Sequence, residues 1–453
     1  MSFICLNDLV DTLKIQFYPT NMEIDKLKYN AFVEYLILKK DEAMKIKNED
    51  NQQRFILISV DDIKFRVMAT SQSGFNVVCQ NADFTLSFRK IGEHKNPVVK
   101  AEFRAEFLLR NGYKRALEIV VNFVSTLLKN FNIKVSEIHL AKDIQGYNFS
   151  ILDFYRLKSL KKNREIFNQD TNLFFNGLKF TGFYIGKGAE MLRIYNKTHK
   201  IEKDKNTAFV KYLSWDMNPD YDESKTVWRI EFQLRREKLK ELYSSFGLIE
   251  NLQSLLNSIS SLWDYLINTF VLKDFSIKEC QEFQQGYIFK NGELTILNQE
   301  TIKKRFQRAE LSPLWEFIKT FKGNVVEKLQ KIKDIKKPSA VYVKNAFKAV
   351  LSTFIKLKRG SFSSKELTKI LLEADKELQS KKRLNLIDNA RLKCIDYVNR
   401  AEDFFNHTGV DEIEFTKYYE DLKENLNETF ALIQGEQTEI TTFKEFNKRL
   451  KIA

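Results

Sequence analysis

Apolar and polar positions change their period twice along this chain of 453 residues. Residues 1–50 read as charged and helical, ending in the polar run Lys45–Gln53, which is expected to be a linker or exposed loop. Short β-branched and aromatic runs follow at Phe55–Val60, Ile63–Ala69, Phe75–Gln80 and Phe84–Arg89, and these read as successive strands. Val99, Ala101, Phe103, Ala105 and Phe107 alternate with charged residues, the signature of a half-buried strand over 99–107. After Gly112 the spacing of Leu117, Val120, Val121, Val124, Leu127 and Leu128 turns helical, so 113–130 is expected to be an amphipathic helix on a sheet. Strands are predicted again at Val135–Ile144, two or three times within 173–198, and over 226–236. From about 240 the apolar spacing is helical to the end, as in Leu248–Phe270, Thr301–Phe321, Val341–Lys356 and Ser364–Leu378.

The expected fold class is therefore α+β: an antiparallel β-sheet domain with packed helices, followed by an all-α C-terminal region. The expected segments are 1–50, a helical or linker segment; 51–245, the β-rich domain; and 246–453, a helical domain suited to DNA or partner binding.

Charge narrows the function. Lys and Arg number 74 against 60 Asp and Glu, a net charge of +14. Such an excess points to a polyanionic partner, nucleic acid or an anionic surface. Five cations, Arg156, Lys158, Lys161, Lys162 and Arg164, crowd nine residues and read either as a solvated basic segment or as a phosphate-tracking patch. No apolar run approaches the ~18–20 residues of a membrane span. The opening MSFICLNDLVDTLKIQF lacks the basic-then-apolar order of a signal peptide, so a cytoplasmic location is expected. Cys5, Cys79, Cys280 and Cys394 are far apart and form no CxxC pair, so neither a zinc module nor a disulfide framework is indicated.

Three predicted strands carry polar faces with chemical content, because residues i and i+2 of a strand share a face. Glu137, His139, Ala141 and Asp143 share one, and His139 with Asp143 is a candidate divalent-metal pair. Arg193, Tyr195 and Lys197 share another, a phenol between two cations that would favour the phenolate and hold phosphate oxygens. Arg229, Glu231, Gln233 and Arg235 share the third. In one sheet these faces would join metal ligands, a nucleophile and phosphate-binding cations, the parts that hydroxyl attack on a phosphodiester needs. Gly186-Lys187-Gly188 lacks the spacing of a P-loop.

The run YIGKGAEMLRIYNK (Tyr184–Lys197), followed by VWRIEFQLR (Val227–Arg235), resembles the paired motifs of the replication initiation factor family, the Rep-trans type of rolling-circle plasmid initiators, and of related relaxases of conjugative elements. That family shows an aromatic-Ile-Gly entry, then Arg-Ile-Tyr-x-Lys, then Trp-Arg-Ile-Glu-x-x-x-Arg. Upstream, EIHLAKD (Glu137–Asp143) matches the family's Arg-x-Asp-Leu-Ala-x-Asp at Leu140, Ala141 and Asp143, with Glu137 for the Arg and His139 for the first Asp. The match covers roughly residues 55–240.

The resemblance implies that Tyr195 cuts one DNA strand and stays linked to the 5′-phosphate, leaving a 3′-hydroxyl. It implies Mg²⁺ or Mn²⁺ held by Asp143 and Glu231 with His139, and phosphates positioned by Arg193, Lys197, Arg229 and Arg235. The implied partners are an origin or nick site in DNA, single-stranded or as a hairpin, a host helicase, and a second copy of the chain, with no membrane. Tyr184, without flanking cations, is the competing tyrosine. The other readings are a relaxase with the same chemistry, a non-catalytic DNA-binding regulator, and a basic scaffold for RNA or membranes.

Overall fold

The computed structural model describes residues 2–20, 22–49, 54–92, 96–159, 171–290, 293–322, 326–331, 340–357, 359–360, 363–380, 394, 420–421 and 424. Lys161, Lys162 and Arg164 of the basic segment lie outside them. The chain divides into two compact units, 1–330 and 331–453.

The first unit is built on one eleven-stranded antiparallel sheet, which establishes the α+β class. Strand β1 (Ile4–Pro19) leads into helix α1 (Met22–Glu49). A meander follows: β2 (Phe55–Val60), β3 (Ile63–Met68), β4 (Val77–Gln80), β5 (Phe84–Phe88) and β6 (Val99–Phe103). Helices α2 (Ala105–Asn111) and α3 (Tyr113–Leu127) then lead to the long strand β7 (Phe131–Gln145). After α4 (Ile151–Arg156) and β8 (Leu157–Ser159) come β9 (Thr171–Asn176), β10 (Lys179–Lys187) and β11 (Glu190–Asn196). Short helices α5 (Lys197–Lys203) and α6 (Phe209–Leu213) precede β12 (Trp228–Arg235). The order across the sheet is β2-β3-β4-β5-β6-β1-β7-β12-β11-β10-β9.

Two sequence expectations change here. Residues 4–19 are a central strand, not a helix, and among the described residues of the first fifty only Met22–Glu49 is helical. Leu13, Ile15 and Phe17 alternate into the core of β1, a period-2 signal set among charged neighbours. The strand expected over 99–107 stops at Phe103; Ala105 and Phe107 belong to α2, where Phe107 is buried against Phe84 and Phe103.

One sheet face carries the core. Helix α3 buries Ala116, Leu117, Val120, Phe123 and Val124, which fall on one stripe at 3.6-residue spacing. Each large apolar side chain so buried contributes about 1.5–3 kcal/mol. Helix α1 lays Tyr29, Val33 and Leu36 on the same core, and the Tyr29 hydroxyl donates to the Val98 carbonyl. On the same face of β12, Trp228, Ile230, Phe232 and Leu234 meet the helices Leu252–Asn257 and Ile259–Thr269, with Phe232 edge-on to Trp263. The expected boundary near 245 therefore falls inside the first compact unit, which also holds short strands at Phe270–Leu272, Tyr287–Lys290 and Glu293–Ile296. In the second unit, Ala340–Leu357 and Ser364–Ser380 are helices. No described helix is long and apolar enough to cross a membrane.

Candidate active site

The opposite face of β7, β12 and β11 carries the polar residues picked out above. These three strands are neighbours, so their polar faces form one surface. Their register sets two cross-strand rows: Tyr195 opposite Arg229 opposite Asp143, and Arg193 opposite Glu231 opposite Ala141. His139 lies one pair along, opposite Gln233.

Glu231 is the hub. Its Oε2 accepts a hydrogen bond from the Tyr195 hydroxyl at 2.9 Å. Its Oε1 accepts from His139 Nδ1 at 2.9 Å and from Arg193 Nη1 at 3.0 Å. His139 donates through Nε2 to Glu137 at 2.8 Å, so both ring nitrogens face carboxylates. Ala141, opposite Glu231 and next after His139 on this face of β7, carries only a methyl group. Burial acts to lower the His139 pKa, but Glu137 and Glu231 outweigh it and hold the imidazole above its usual value. Burial acts to raise the Glu231 pKa, and His139, Arg193 and Arg229 override it, keeping that carboxyl ionised well below the usual carboxylate range. Burial and the Glu231 charge push the Tyr195 phenol well above its ordinary value, so it is neutral in this arrangement.

Asp11 completes a group that sequence reasoning missed. One ligand atom each from Asp11, His139 and Glu231 lie within 4.8 Å of one another. Small side-chain rotations close such a spacing around an ion whose oxygen ligands sit at ~2.1 Å. Two carboxylates suit Mg²⁺ or Mn²⁺, and the imidazole can join them only as the neutral ring, so ion binding would displace a proton that Glu137 and Glu231 help hold on His139. The donor set therefore fits a divalent cation. Asp11 reaches the site because β1 carries an irregularity between Val10 and Thr12: Val10 pairs with Leu140 and Thr12 with His139, leaving Asp11 as the extra residue.

Asp143 does not join this group, which corrects the expected ligand set. Residues four apart on a strand are separated by ~13 Å, too far for His139 and Asp143 to share one ion. Asp143 is fully buried and is met by Arg229 Nε and Nη2 at 2.6 and 2.8 Å, by Asn7 Nδ2 at 2.8 Å and by Trp215 Nε1 at 2.9 Å. Burial would raise its pKa, yet the Arg229 charge holds it below the ordinary value.

The expected phosphate-binding cations divide. Arg229 is 1% exposed and bridges Asp143 and Asp11, so it braces the site from within and offers no surface to DNA. Lys197 is buried at the start of α5, and burial with the Arg229 charge brings its pKa down to about 8. Arg193 and Arg235 remain partly open, with side chains 35% and 49% exposed.

Local backbone chemistry fixes the position of Tyr195. Gly182 lies opposite Tyr195 with φ +151°, and a Cβ there would fall 2.4 Å from the Ile194 carbonyl oxygen and 2.9 Å from Tyr195 Cβ. Only glycine lets Tyr195 sit against β10. Asn196 then ends the strand and caps α5, its Oδ1 accepting from the His199 amide. This places Lys200 Nζ 4.9 Å from the centre of the Tyr195 ring. Tyr195, Arg193 and Glu231 line a cavity of about 780 Å³ whose other walls include Phe174, Tyr184 and Lys203.

No protein-family model matches this chain, and no curated protein matches it. Among solved structures it is similar to the rolling circle replication initiator protein of Geobacillus stearothermophilus, at 11% identity, with a TM-score of 0.35 over 70% of this chain and 95% of that one.

Proposed function

We propose that this protein is a metal-dependent DNA strand nickase and rejoining enzyme in which Tyr195 is the nucleophile, as in the initiation of rolling-circle replication. The observation that carries the reading is the Tyr195 hydroxyl bonded to Glu231, itself part of the Asp11–His139–Glu231 group. Mg²⁺ or Mn²⁺ held by those three residues would polarise a phosphoryl oxygen and offset charge developing on it. Tyr195 Oη attacks the phosphorus and its proton is lost to solvent water, a loss that a cation held beside it would ease. Glu231 Oε2 orients the hydroxyl by accepting its hydrogen bond and, held well below the usual carboxylate range, is too weak a base to keep the proton. The P–O bond to the 3′-oxygen breaks, that oxygen keeps the electron pair and takes a proton from solvent, and a 5′-phosphotyrosyl ester remains. Arg193, which lines the cavity with Tyr195, meets the reacting phosphate. Arg235 lies six residues along β12 from the Tyr195 row, beside Glu137, and does not reach it. The buried Arg229 fixes Asp11. Attack by a 3′-hydroxyl on the ester reverses the exchange, so rejoining needs no nucleotide cofactor. The same chemistry would serve a relaxase.

The test uses labelled single-stranded DNA tiling the replicon that encodes the protein. With Mn²⁺, wild type is expected to form a denaturant-stable protein–DNA adduct that is absent with chelator and absent in Tyr195→Phe. Site-specific DNA binding without any adduct would instead favour a non-catalytic regulator.

A further inference from the structure

Beyond Tyr195 the sheet continues for two strands, and on the site side these carry aromatic side chains. Phe174 on the edge strand β9 lies in the row of Gly182 and Tyr195, and Tyr184 on β10 lies in the row of Arg193 and Glu231. The Phe174 and Tyr184 rings stand 5.7 Å apart at a tilt of 44°. Both line the same cavity as Tyr195, yet Phe174 is 41% exposed. Two strand spacings, roughly 10 Å, separate Phe174 from Tyr195 across the glycine. Helix α5 borders the cavity with Lys200 and Lys203, the latter 3.5 Å from Asn176 of β9.

We propose that Phe174 and Tyr184 form a stacking subsite for the unpaired base beside the phosphate that Tyr195 attacks, with Lys200 and Lys203 holding the backbone of that nucleotide. The subsite rests on the nicking reading of Tyr195. An unpaired base presents a free π-face, whereas bases in a duplex are covered by their neighbours. Aromatic platforms beside a basic groove bind single strands with little sequence preference. The platform therefore selects melted or looped DNA at the nucleophile, and the edge position of β9 lets the strand run off the sheet.

The experiment measures binding of fluorescein-labelled oligo(dT), and of a duplex of equal length, to the full chain in chelator, where no cleavage occurs. Phe174→Ala and Tyr184→Ala should each weaken oligo(dT) binding ~10-fold or more. Duplex binding should be unchanged, and Phe174→Tyr, which keeps a ring at this partly exposed position, should bind as wild type does. Unchanged oligo(dT) affinity in the alanine variants, equal losses on both DNAs, or a Phe174→Tyr as weak as Phe174→Ala would overturn the subsite. So would a wild type that does not bind oligo(dT). The adduct assay on Tyr195→Phe separates the two ideas. Loss of the adduct there with intact oligo(dT) binding in Phe174→Ala removes the subsite alone, and an adduct that survives in Tyr195→Phe removes the nucleophile assignment alone.

Discussion

Asp143 and Asp11 look alike in composition and differ entirely in what surrounds them. Asp143 is enclosed with Arg229, and removing one partner of a buried pair strands the other charge. Asp143→Ala should therefore cost about 3–5 kcal/mol in urea unfolding. Asp11 is half-buried and contributes to the metal group, so Asp11→Asn should weaken Mn²⁺ binding by ~10-fold or more in titration calorimetry. Unfolding of Asp11→Asn should shift far less than that of Asp143→Ala. The reverse pattern would return Asp143 to the ligand set. Tyr195, Glu231 and His139 are legible in the sequence because strand alternation alone puts each on a polar face. Asp11 is not legible, since a bulge shifts its register and a bulge leaves no period to read. The burial of Arg229 is equally hidden: its partners come from two strands more than eighty residues away in sequence.

At the scale of elements, β10 and β11 must touch closely for Tyr195 to reach Glu231. Gly182→Ala would place a methyl against the Ile194 carbonyl and the Tyr195 backbone. We expect a loss of about 1–3 kcal/mol in stability and a collapse of adduct formation, with DNA binding by the full chain retained. Full adduct yield in Gly182→Ala would show that the close approach is dispensable. Most strands were legible because they alternate or are β-branched, and α3 because its apolar stripe is unbroken. The first strand was not: LNDLVDTLKIQF mixes charges into its apolar positions because β1 is central and its two faces serve different purposes, core on one side and site on the other. Alternation likewise ran past Phe103 into α2, where helical and strand spacing both bury Phe107.

Over the whole molecule, acid should loosen the fold through its buried carboxylates. Burial would raise the Glu250 pKa, but Lys134 and Arg236, at 2.7 and 2.9 Å, hold it below the ordinary value. Asp143 is depressed in the same sense by Arg229. A carboxyl whose folded pKa is lowered contributes stability that is present above its unfolded pKa, ~4, and lost as pH falls through the folded value. The urea midpoint should therefore be level near neutrality and fall below about pH 4, and Glu250→Gln should flatten that fall. An unchanged slope in the variant would exclude Glu250 as a source. The charge of +14 predicts DNA binding that weakens steeply with salt. The most direct test of Tyr195 as the nucleophile is to digest the Mn²⁺-dependent protein–DNA adduct and identify the modified peptide by mass spectrometry. Attack by the Tyr195 hydroxyl predicts a single nucleotide-bearing residue, Tyr195, joined to a 5′-phosphate. A modification on Tyr184 or any other residue, or a 3′-phosphate linkage, would contradict it.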